Sequence, residues 1–181
     1  MAIRKIAVMG NPILRVPAAP IPEAEITSPK IQTLITDMIE TMFEYDGVGL
    51  AAPQIHESLQ LVVMLWNFEP DKEPAIRVLI NPVIAPLTKD TSGFWEGCLS
   101  VPGIRGLVER PTKISVQALN QKKEKISLTV EGFGATVIQH ECDHLIGKLY
   151  VDRITDHSKL AFMKEYKKFH LEEGEMYRED D

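Results

Sequence analysis

The sequence predicts a mixed α+β fold in which the second of three helices packs on β-strands. Three segments carry apolar residues at the spacing of an amphipathic helix. Two others alternate apolar and polar residues like the arms of a hairpin, and two short apolar runs have the length of buried strands. The chain has 181 residues, of which 44% are hydrophobic and 25% are charged. These values are typical of one globular domain, or at most two small ones, with a core that needs no disulfides.

The first regular element is a helix that follows a proline-rich segment. Residues 1–27 contain four prolines and are expected to run over the surface in extended form. Ser28 is the predicted N-cap, and Pro29 occupies the first helical position, where its missing N–H costs nothing. Apolar residues recur at helical spacing as far as Phe43, and Gly47 is the predicted C-terminal stop.

The predicted strands come next in the chain. Leu61–Trp66 and Arg77–Ile80 are apolar enough to be buried strands, and the pair formed by Asn81 and the following proline is expected to end the second. Lys113–Leu119 and Lys125–Val130 alternate apolar and polar residues on either side of a polar turn. This pattern predicts a β-hairpin.

Two further helices are predicted in the last third of the chain. The second helix runs from about Phe133 to Ile146 and is expected to end at Gly147. The third runs from about His157 to Glu172, with apolar residues on one side and lysines on the other. Residues 172–181 are acidic and are expected to form a frayed tail.

Composition and charge argue against several classes of protein. Twenty basic and 26 acidic residues give a net charge of −6, so no overall field favours binding to nucleic acid. No apolar run reaches the roughly 18 residues of a membrane span, and the N-terminus lacks the features of a signal peptide. We therefore expect a cytoplasmic protein without membrane contact or nucleic-acid readout. In that compartment Cys98 and Cys142 are thiols or metal ligands rather than a disulfide.

The second predicted helix carries the pattern H-E-x-x-H, formed by His140, Glu141 and His144. Residues four apart on a helix share one face, so both imidazoles can bind one metal ion. A glutamate beside the first histidine can take a proton from water at that metal. The pattern therefore predicts a site for metal-assisted hydrolysis.

A catalytic metal needs a third protein ligand, and the sequence offers two candidates. Glu165, on the third predicted helix, would complete the site as in thermolysin-like zinc endopeptidases. Cys98 would supply a thiolate. A histidine of the metzincin type is excluded because its position holds Tyr150. Cys142 is expected to point away from the histidines, although a non-catalytic module would use both cysteines and both histidines in a closed metal site.

The segment Gly47–Gln54 is rich in small residues, which allow another backbone to approach closely. In extended form its free N–H and C=O groups could pair with a peptide. The Gln54 amide is a neutral donor suited to a developing oxyanion. Taken alone, a segment of glycine and alanine more often reflects tight packing than a binding site.

Three segments together resemble the peptide deformylase family. They are residues 47–54, 96–100 and 139–144, which carry G-x-G-L-A-A-x-Q, E-G-C-L-S and Q-H-E-x-D-H in this order. The resemblance covers nearly the whole chain up to about residue 154 and favours Cys98 over Glu165 as the third ligand. It implies a single catalytic domain over residues 1–181. The expected fold has antiparallel β-sheets around a central helix that carries the histidines, with a further helix toward each terminus.

The resemblance also implies a reaction, the hydrolytic removal of formate from the N-terminal formylmethionine of newly synthesised polypeptides. Cys98, His140 and His144 would bind one divalent metal ion. This ion is usually Fe(II) in the family, with Zn(II), Ni(II) or Co(II) able to substitute. Glu141 would accept the proton of the attacking water and later donate it to the leaving amine.

Main-chain and amide groups complete the implied active site. The Gln54 amide and the Leu99 backbone N–H would hold the formyl oxygen as it becomes an oxyanion. Val48 and Gly49 would pair with the substrate peptide as an added strand. N-formylmethionyl nascent peptides are the expected partners. Some family members dock on the ribosome through the C-terminal region, so a transient ribosome contact is also expected.

Residues around these positions are candidates for substrate binding and for support of the metal ligands. The methionine side chain needs an apolar pocket. Its predicted walls are Phe94, Phe133 and Val137. Arg105 is expected to contact the backbone or carboxylate of the substrate. Glu96 is expected to hold the segment around Cys98 by pairing with Arg110.

Overall fold

A computed structural model describes residues 2–66 and 75–171 of the chain, so the predicted tail at 172–181 lies outside the described residues. The α-helices are α1 (Pro29–Glu44), α2 (Gly132–Leu145) and α3 (Met163–Phe169). The strands are β1 (Gly49–Ala51), β2 (Leu61–Leu65), β3 (Ile76–Pro86), β4 (Thr91–Cys98), β5 (Val101–Pro111), β6 (Lys113–Leu119), β7 (Lys125–Glu131) and β8 (Leu160–Phe162). Short 3-10 helices cover Pro12–Arg15, Ala52–Ile55, Tyr150–Arg153 and His157–Lys159.

The strands form two antiparallel sheets, and α2 lies between them. One sheet has the order β1-β2-β3-β6-β7, and the other has the order β4-β5-β8. Helix α2 contacts strands of both sheets. The predicted fold class, an α+β arrangement with antiparallel sheets around a central helix, is therefore confirmed. Within the described ranges, no helix combines the length and apolar character that a membrane crossing requires.

Helix α1 begins as predicted but ends differently. The Ser28 side chain accepts a hydrogen bond from the Ile31 N–H, and Pro29 is the first helical residue. At the other end Asp46, not Gly47, takes the left-handed conformation, with φ of +52°. The Gly47 N–H then donates to the Met42 carbonyl oxygen at 2.8 Å. The prediction of Gly47 as the stop is wrong in detail because aspartate also tolerates this conformation.

Strand β3 continues through Asn81 and Pro82, so the prediction that this pair ends the strand is wrong. One extra residue of β3 forms a bulge opposite β6 between Ile80 and Val83. Asn81 takes a φ of +51°, and its side-chain amide both donates to and accepts from the main chain of Ile21 at 2.8 Å. A bulge accommodates a proline because its residues leave the regular ladder of hydrogen bonds.

The β6–β7 hairpin has the predicted strand bounds to within one residue, but sequence patterns missed the β4–β5 hairpin. Strand β4 pairs with β5 from Thr91 opposite Pro111 to Cys98 opposite Val101. Both strands contain glycines, and β5 also contains Pro102, so neither resembles a typical strand in composition. Pairing with each other and packing against α2 outweigh these weak local preferences.

The third helix begins later than predicted because residues 157–162 form a short 3-10 helix followed by a strand. Residues Leu160–Phe162 form β8, which pairs with Ile104–Gly106 at the edge of β5. Helix α3 begins only at Met163. The position of Leu160 fits an apolar stripe on a helix. Its main chain instead pairs with the edge of β5, and the spacing of apolar residues along the sequence does not reveal such a distant partner.

The N-terminal segment is largely extended, as predicted, but it is not confined to the surface. Leu14, Ile21 and Ile26 are at most 2% exposed and belong to the core. The Ala18 N–H donates to the Leu145 carbonyl oxygen at 2.9 Å, which joins this segment to the C-terminal end of α2. Gly147, with φ of +74°, ends the helix as predicted, and a Cβ there would lie 2.7 Å from the Arg15 carbonyl carbon.

We predict that Gly147→Ala destabilises the fold more than Gly103→Ala does. Both glycines have a φ of +74°, but only Gly147 faces backbone that a Cβ would strike. The conformational strain should cost about 1–2 kcal/mol at either site, and crowding should add about 1–3 kcal/mol at Gly147. Urea unfolding of the two variants measures the difference. Equal losses of unfolding free energy in the two variants would mean that the close approach of Arg15 to Gly147 adds no crowding cost.

Candidate metal centre and active site

Helix α2 presents two imidazoles and a carboxylate from its buried side. The ring centroids of His140 and His144, four residues apart, lie 5.1 Å from each other. Both histidines are buried, as is Glu141. Burial lowers the pKa of His144, which favours the neutral ring that binds metals.

Strand β4 brings a thiol to the two imidazoles. Ligand atoms of Cys98, His140 and His144 all lie within 4.8 Å of one another, and Cys98 Sγ is 3.3 Å from His144 Nε2. Burial acts to lower the pKa of His140, but its bonds with Cys98 and Glu96 outweigh burial and raise it. Surroundings that favour a positive charge on this ring also favour a bound cation. One sulfur and two nitrogen donors form a set that fits a borderline divalent metal.

The other candidate ligands are not part of this group. In residues 2–66 and 75–171, the one group of three or more metal-binding side chains is Cys98, His140 and His144. Glu165 lies on α3 and is exposed. Cys142 packs with Ile138 and Leu145 in the core, and burial raises the pKa of its thiol to about 12. Neither a glutamate-completed site nor a closed site with two cysteines fits this arrangement.

A buried carboxylate holds the first imidazole from behind. Glu96 Oε2 accepts a hydrogen bond from His140 Nδ1 at 2.7 Å, which leaves Nε2 for a metal. Arg110 donates to both Glu96 oxygens, from Nε at 2.5 Å and from Nη2 at 3.0 Å. Burial acts to raise the pKa of Glu96, but the bonds with His140 and Arg110 outweigh it and hold the pKa below its usual value. Glu96 is therefore an ionised acceptor.

The chain of ion pairs continues beyond Arg110 to the surface. Arg110 Nη1 donates to Asp143 Oδ2 at 2.9 Å, and Arg153 Nε donates to the same oxygen at 3.0 Å. Arg153 Nη2 also donates to Asp143 Oδ1. Asp143 and Arg110 are buried, whereas the Arg153 side chain is 37% exposed. One continuous set of charges thus connects the surface with His140.

Gln54 lies beside the thiol, in the 3-10 helix that follows β1. Its Nε2 donates to Cys98 Sγ at 3.4 Å and to Ser100 Oγ at 3.2 Å. Its Oε1 accepts from the Ala51 N–H at 2.8 Å, which fixes the amide orientation. Leu99, next to the thiol, begins the turn between β4 and β5 and packs against Gly47. The Gln54 amide donor therefore points at the group of metal-binding side chains.

Glu141 faces the same space from α2. Its Oε2 is buried without a hydrogen-bond partner among the described residues. Burial raises the pKa of Glu141 to about 7, and the nearby His140 limits the rise. A Cβ on Gly49 would lie 2.5 Å from Glu141 Oε1, so β1 passes directly over this carboxylate. A buried, unpartnered oxygen at this position is available to a substrate or a water molecule.

An open edge of β-sheet borders the site. Strand β1, which contains Gly49, is the edge strand of the five-stranded sheet. The preceding residue, Val48, is 41% exposed, and its carbonyl oxygen accepts from the Leu65 N–H at 2.9 Å. The edge thus begins at an exposed residue, whereas the residues of β1 itself are buried.

Of the predicted pocket residues, two aromatic rings lie together and Val137 lies in the core. Phe94 and Phe133 have ring centroids 6.0 Å apart, and Phe133 is 44% exposed. Val137 is buried in the core cluster between α2 and the five-stranded sheet. The Arg105 guanidinium lies over Gly97, where a Cβ would be 2.2 Å from Nη1. Arg105 therefore lies next to the strand end that carries Cys98.

Sequence patterns did not identify three polar residues of the site. Asp143 and Arg153 extend the ion pairs, and Ser100 accepts from Gln54. For Asp143 a signal was present, since an acid on a buried helix requires a charged or hydrogen-bonded partner. The roles of Arg153 and Ser100 can be recognised only in the folded chain, because nothing in the sequence around them indicates their partners.

Comparison with known proteins agrees with this geometry. The sequence profile of a family described as polypeptide deformylase matches residues 3–160. The chain belongs to this family. A peptide deformylase of Leptospira biflexa serovar Patoc is 48% identical over 159 residues, which cover 85% of this chain and 89% of the relative.

Solved peptide deformylase structures have the same fold. One from Acinetobacter baumannii, with Met-Ala-Ser bound, superposes with a TM-score of 0.80 at 36% identity, covering 84% of this chain and 99% of that one. One from Thermotoga maritima has a TM-score of 0.77 at 39% identity, covering 86% and 100%. The predicted family and enzyme class are confirmed: the chain is a metallohydrolase that removes the N-terminal formyl group of newly synthesised polypeptides.

We predict that Gly49→Ala lowers deformylase turnover while the fold and metal content are retained. The added methyl group would lie within 2.9 Å of Glu141 Oε1, Cδ and Cγ, so it would displace this side chain rather than backbone, and the loss of activity should exceed the loss of stability. A displacement of about 1 Å at a reacting group can cost roughly 100-fold in rate. Measurement of kcat together with metal content tests this. Gly93→Ala is the control, since its Cβ would meet only the Leu107 side chain, and equal kcat in both variants would contradict the prediction.

Proposed function

We propose that this peptide deformylase binds one divalent metal ion through Cys98, His140 and His144 and uses Glu141 as its general acid and base. The observation that carries the proposal is the convergence of three ligand atoms within 4.8 Å, beside a buried carboxylate oxygen that lacks a partner. Three protein ligands leave one position open, which is typical of catalytic metal sites.

The donor set favours a borderline or soft metal over a hard one. Thiolate and imidazole suit Fe(II), Zn(II), Ni(II) and Co(II) better than Mg²⁺ or Ca²⁺. We propose Fe(II) as the native ion, in keeping with the family resemblance, with the other three as substitutes. When bound, such an ion supplies the positive charge that acidifies a water molecule and polarises the formyl carbonyl.

The side chains around the ligands provide proton transfer and charge stabilisation. Glu141 accepts a proton from the attacking water at Oε2 and later delivers it to the amine that leaves. Gln54 Nε2, together with the Leu99 backbone N–H, donates to the formyl oxygen as negative charge develops there. Ala51 and Ser100 hold the Gln54 amide in place, so little reorganisation is needed in the transition state.

The substrate peptide pairs with the open edge of the five-stranded sheet. Val48 and Gly49 offer main-chain groups to it at that edge. We assign the methionine side chain to an apolar pocket at the start of α2. Its walls are Phe94, Phe133 and Val137. Arg105, whose guanidinium lies over Gly97, would contact the backbone or carboxylate of the peptide. The Met-Ala-Ser bound to the Acinetobacter baumannii relative is a peptide of this kind.

Nascent formylmethionyl peptides are made in the cytoplasm, which is where we propose that the chain acts. A transient contact with the ribosome would bring the enzyme to its substrate. Helix α3 is the proposed contact, since Lys164 and Lys168 are exposed on it and would meet RNA phosphates favourably.

We predict that wild-type protein purified without oxygen releases formate from a formyl-Met peptide and leaves an acetyl-Met peptide intact. Cys98→Ala should lose both metal and activity, because two imidazoles alone bind weakly. Metal analysis alongside formate release measures both. Cys142→Ala, a cysteine substitution on the opposite side of α2, and Glu165→Ala should keep both properties. A Cys98→Ala protein with one tightly bound metal ion per chain would contradict the assignment.

We predict that Glu141→Gln keeps its metal but lowers kcat by about 10²–10⁴-fold, the usual contribution of a general base. The amide preserves the shape of the side chain and removes its ability to take a proton. Steady-state kinetics with metal analysis separate the two effects. Near wild-type kcat in this variant would remove Glu141 from the proposed mechanism.

A further inference from the structure

Tyr150 is buried beside the proposed metal ligands and is not one of the proposed catalytic, metal-binding or substrate-binding residues. It is the first residue of the 3-10 helix that follows α2, and 1% of its surface is exposed. Its ring is stacked with that of His140, with centroids 6.0 Å apart and an angle of 19° between the planes. The ring therefore lies nearly parallel to the ring of one proposed ligand.

The Tyr150 hydroxyl reaches a different part of the site. It donates to the Ile104 carbonyl oxygen of β5 at 3.0 Å. Ile104 precedes Arg105, whose guanidinium lies over Gly97 next to Cys98. Burial raises the pKa of the phenol, so its proton remains available for this hydrogen bond.

The surroundings of Tyr150 leave little freedom for its ring. A Cβ on Gly106 would lie 3.1 Å from Tyr150 Cε2, so the β5 backbone passes close to the ring edge. Tyr150 belongs to a buried apolar cluster against which Cys98 packs. The same side chain thus contacts the imidazole from α2 and the apolar support of the thiol from β4.

We infer that Tyr150 is a positioning residue of this centre, with separate tasks for its ring and its hydroxyl. The ring holds the orientation of His140, and the hydroxyl holds Ile104 and Arg105 in place over the strand end that carries Cys98. The inference rests on the proposed function, since it takes His140 and Cys98 as metal ligands. It predicts that metal affinity depends on the ring and that substrate binding depends on the hydroxyl.

Two variants separate these tasks. Tyr150→Met keeps apolar bulk without a flat ring and should weaken Zn(II) binding by about tenfold, the lower end of the range for groups that orient a metal ligand. Tyr150→Phe keeps the ring and should keep the Zn(II) affinity. It should raise KM by about two- to tenfold at unchanged kcat, as expected for one hydrogen bond.

The measurements are Zn(II) affinity of the metal-free protein by chelator competition, the visible spectrum of the Co(II) form, and kcat and KM for a formyl-Met peptide. Leu34→Ala is the control for lost stability, since Leu34 is buried in a separate apolar cluster that does not include Cys98. It should retain the wild-type affinity and spectrum, whereas Tyr150→Met should change both.

Wild-type Zn(II) affinity and an unchanged Co(II) spectrum in folded Tyr150→Met would overturn the role of the ring. Tyr150→Phe removes one oxygen atom and does not endanger folding, so a wild-type KM in this variant would overturn the inference even if Tyr150→Met fails to fold. Failure of the wild-type protein to bind Zn(II) or release formate would instead contradict the proposed function, which keeps the two failures distinct.

Discussion

A buried run of ion pairs joins the helix that carries the histidines to the sheet that carries the cysteine. It passes from Arg153 through Asp143, Arg110 and Glu96 to His140. Buried charges are costly unless they are paired, and removal of one partner typically costs about 3–5 kcal/mol. Because α2 supplies Asp143 and His140 while β4 and β5 supply Glu96 and Arg110, the pairing permits few relative positions of helix and sheet. The proposed metal ligands depend on this constraint.

Close approach of main chain to side chain is the second constraint on the site. Gly49 lets β1 pass over the Glu141 carboxylate, and Gly97 lets the Arg105 guanidinium lie flat across β4. In both places a methyl group would occupy the position of a charged group. Because Gly49 has no side chain, the sheet edge that we propose for the peptide lies next to Glu141, the proposed base.

The sequence predicts the parts of the fold that local patterns encode. Four-residue spacing placed His140 and His144 on one face of a helix, and alternation identified the β6–β7 hairpin. The β4–β5 hairpin was missed because glycines and prolines dilute its strand character, and β8 was missed because its partner edge is distant in sequence. The outer ion pairs of Asp143 and Arg153 were also missed. The position of Asp143 on a buried helix indicates that it needs a partner, but nothing in the local sequence indicates which residue that partner is.

The affinity of a Glu96→Gln variant for Zn(II) tests most directly whether the buried ion pairs position the centre. Glutamine has the shape of glutamate, but it is uncharged, and its NH2 group would place a donor against an N–H of Arg110 or His140 where the carboxylate has an acceptor. Our account predicts a folded protein with Zn(II) affinity reduced by about 10–100-fold. Asp152→Asn, the same change in an exposed pair with Arg15, should leave the affinity unaltered. Wild-type affinity in folded Glu96→Gln would contradict the central role of this interaction.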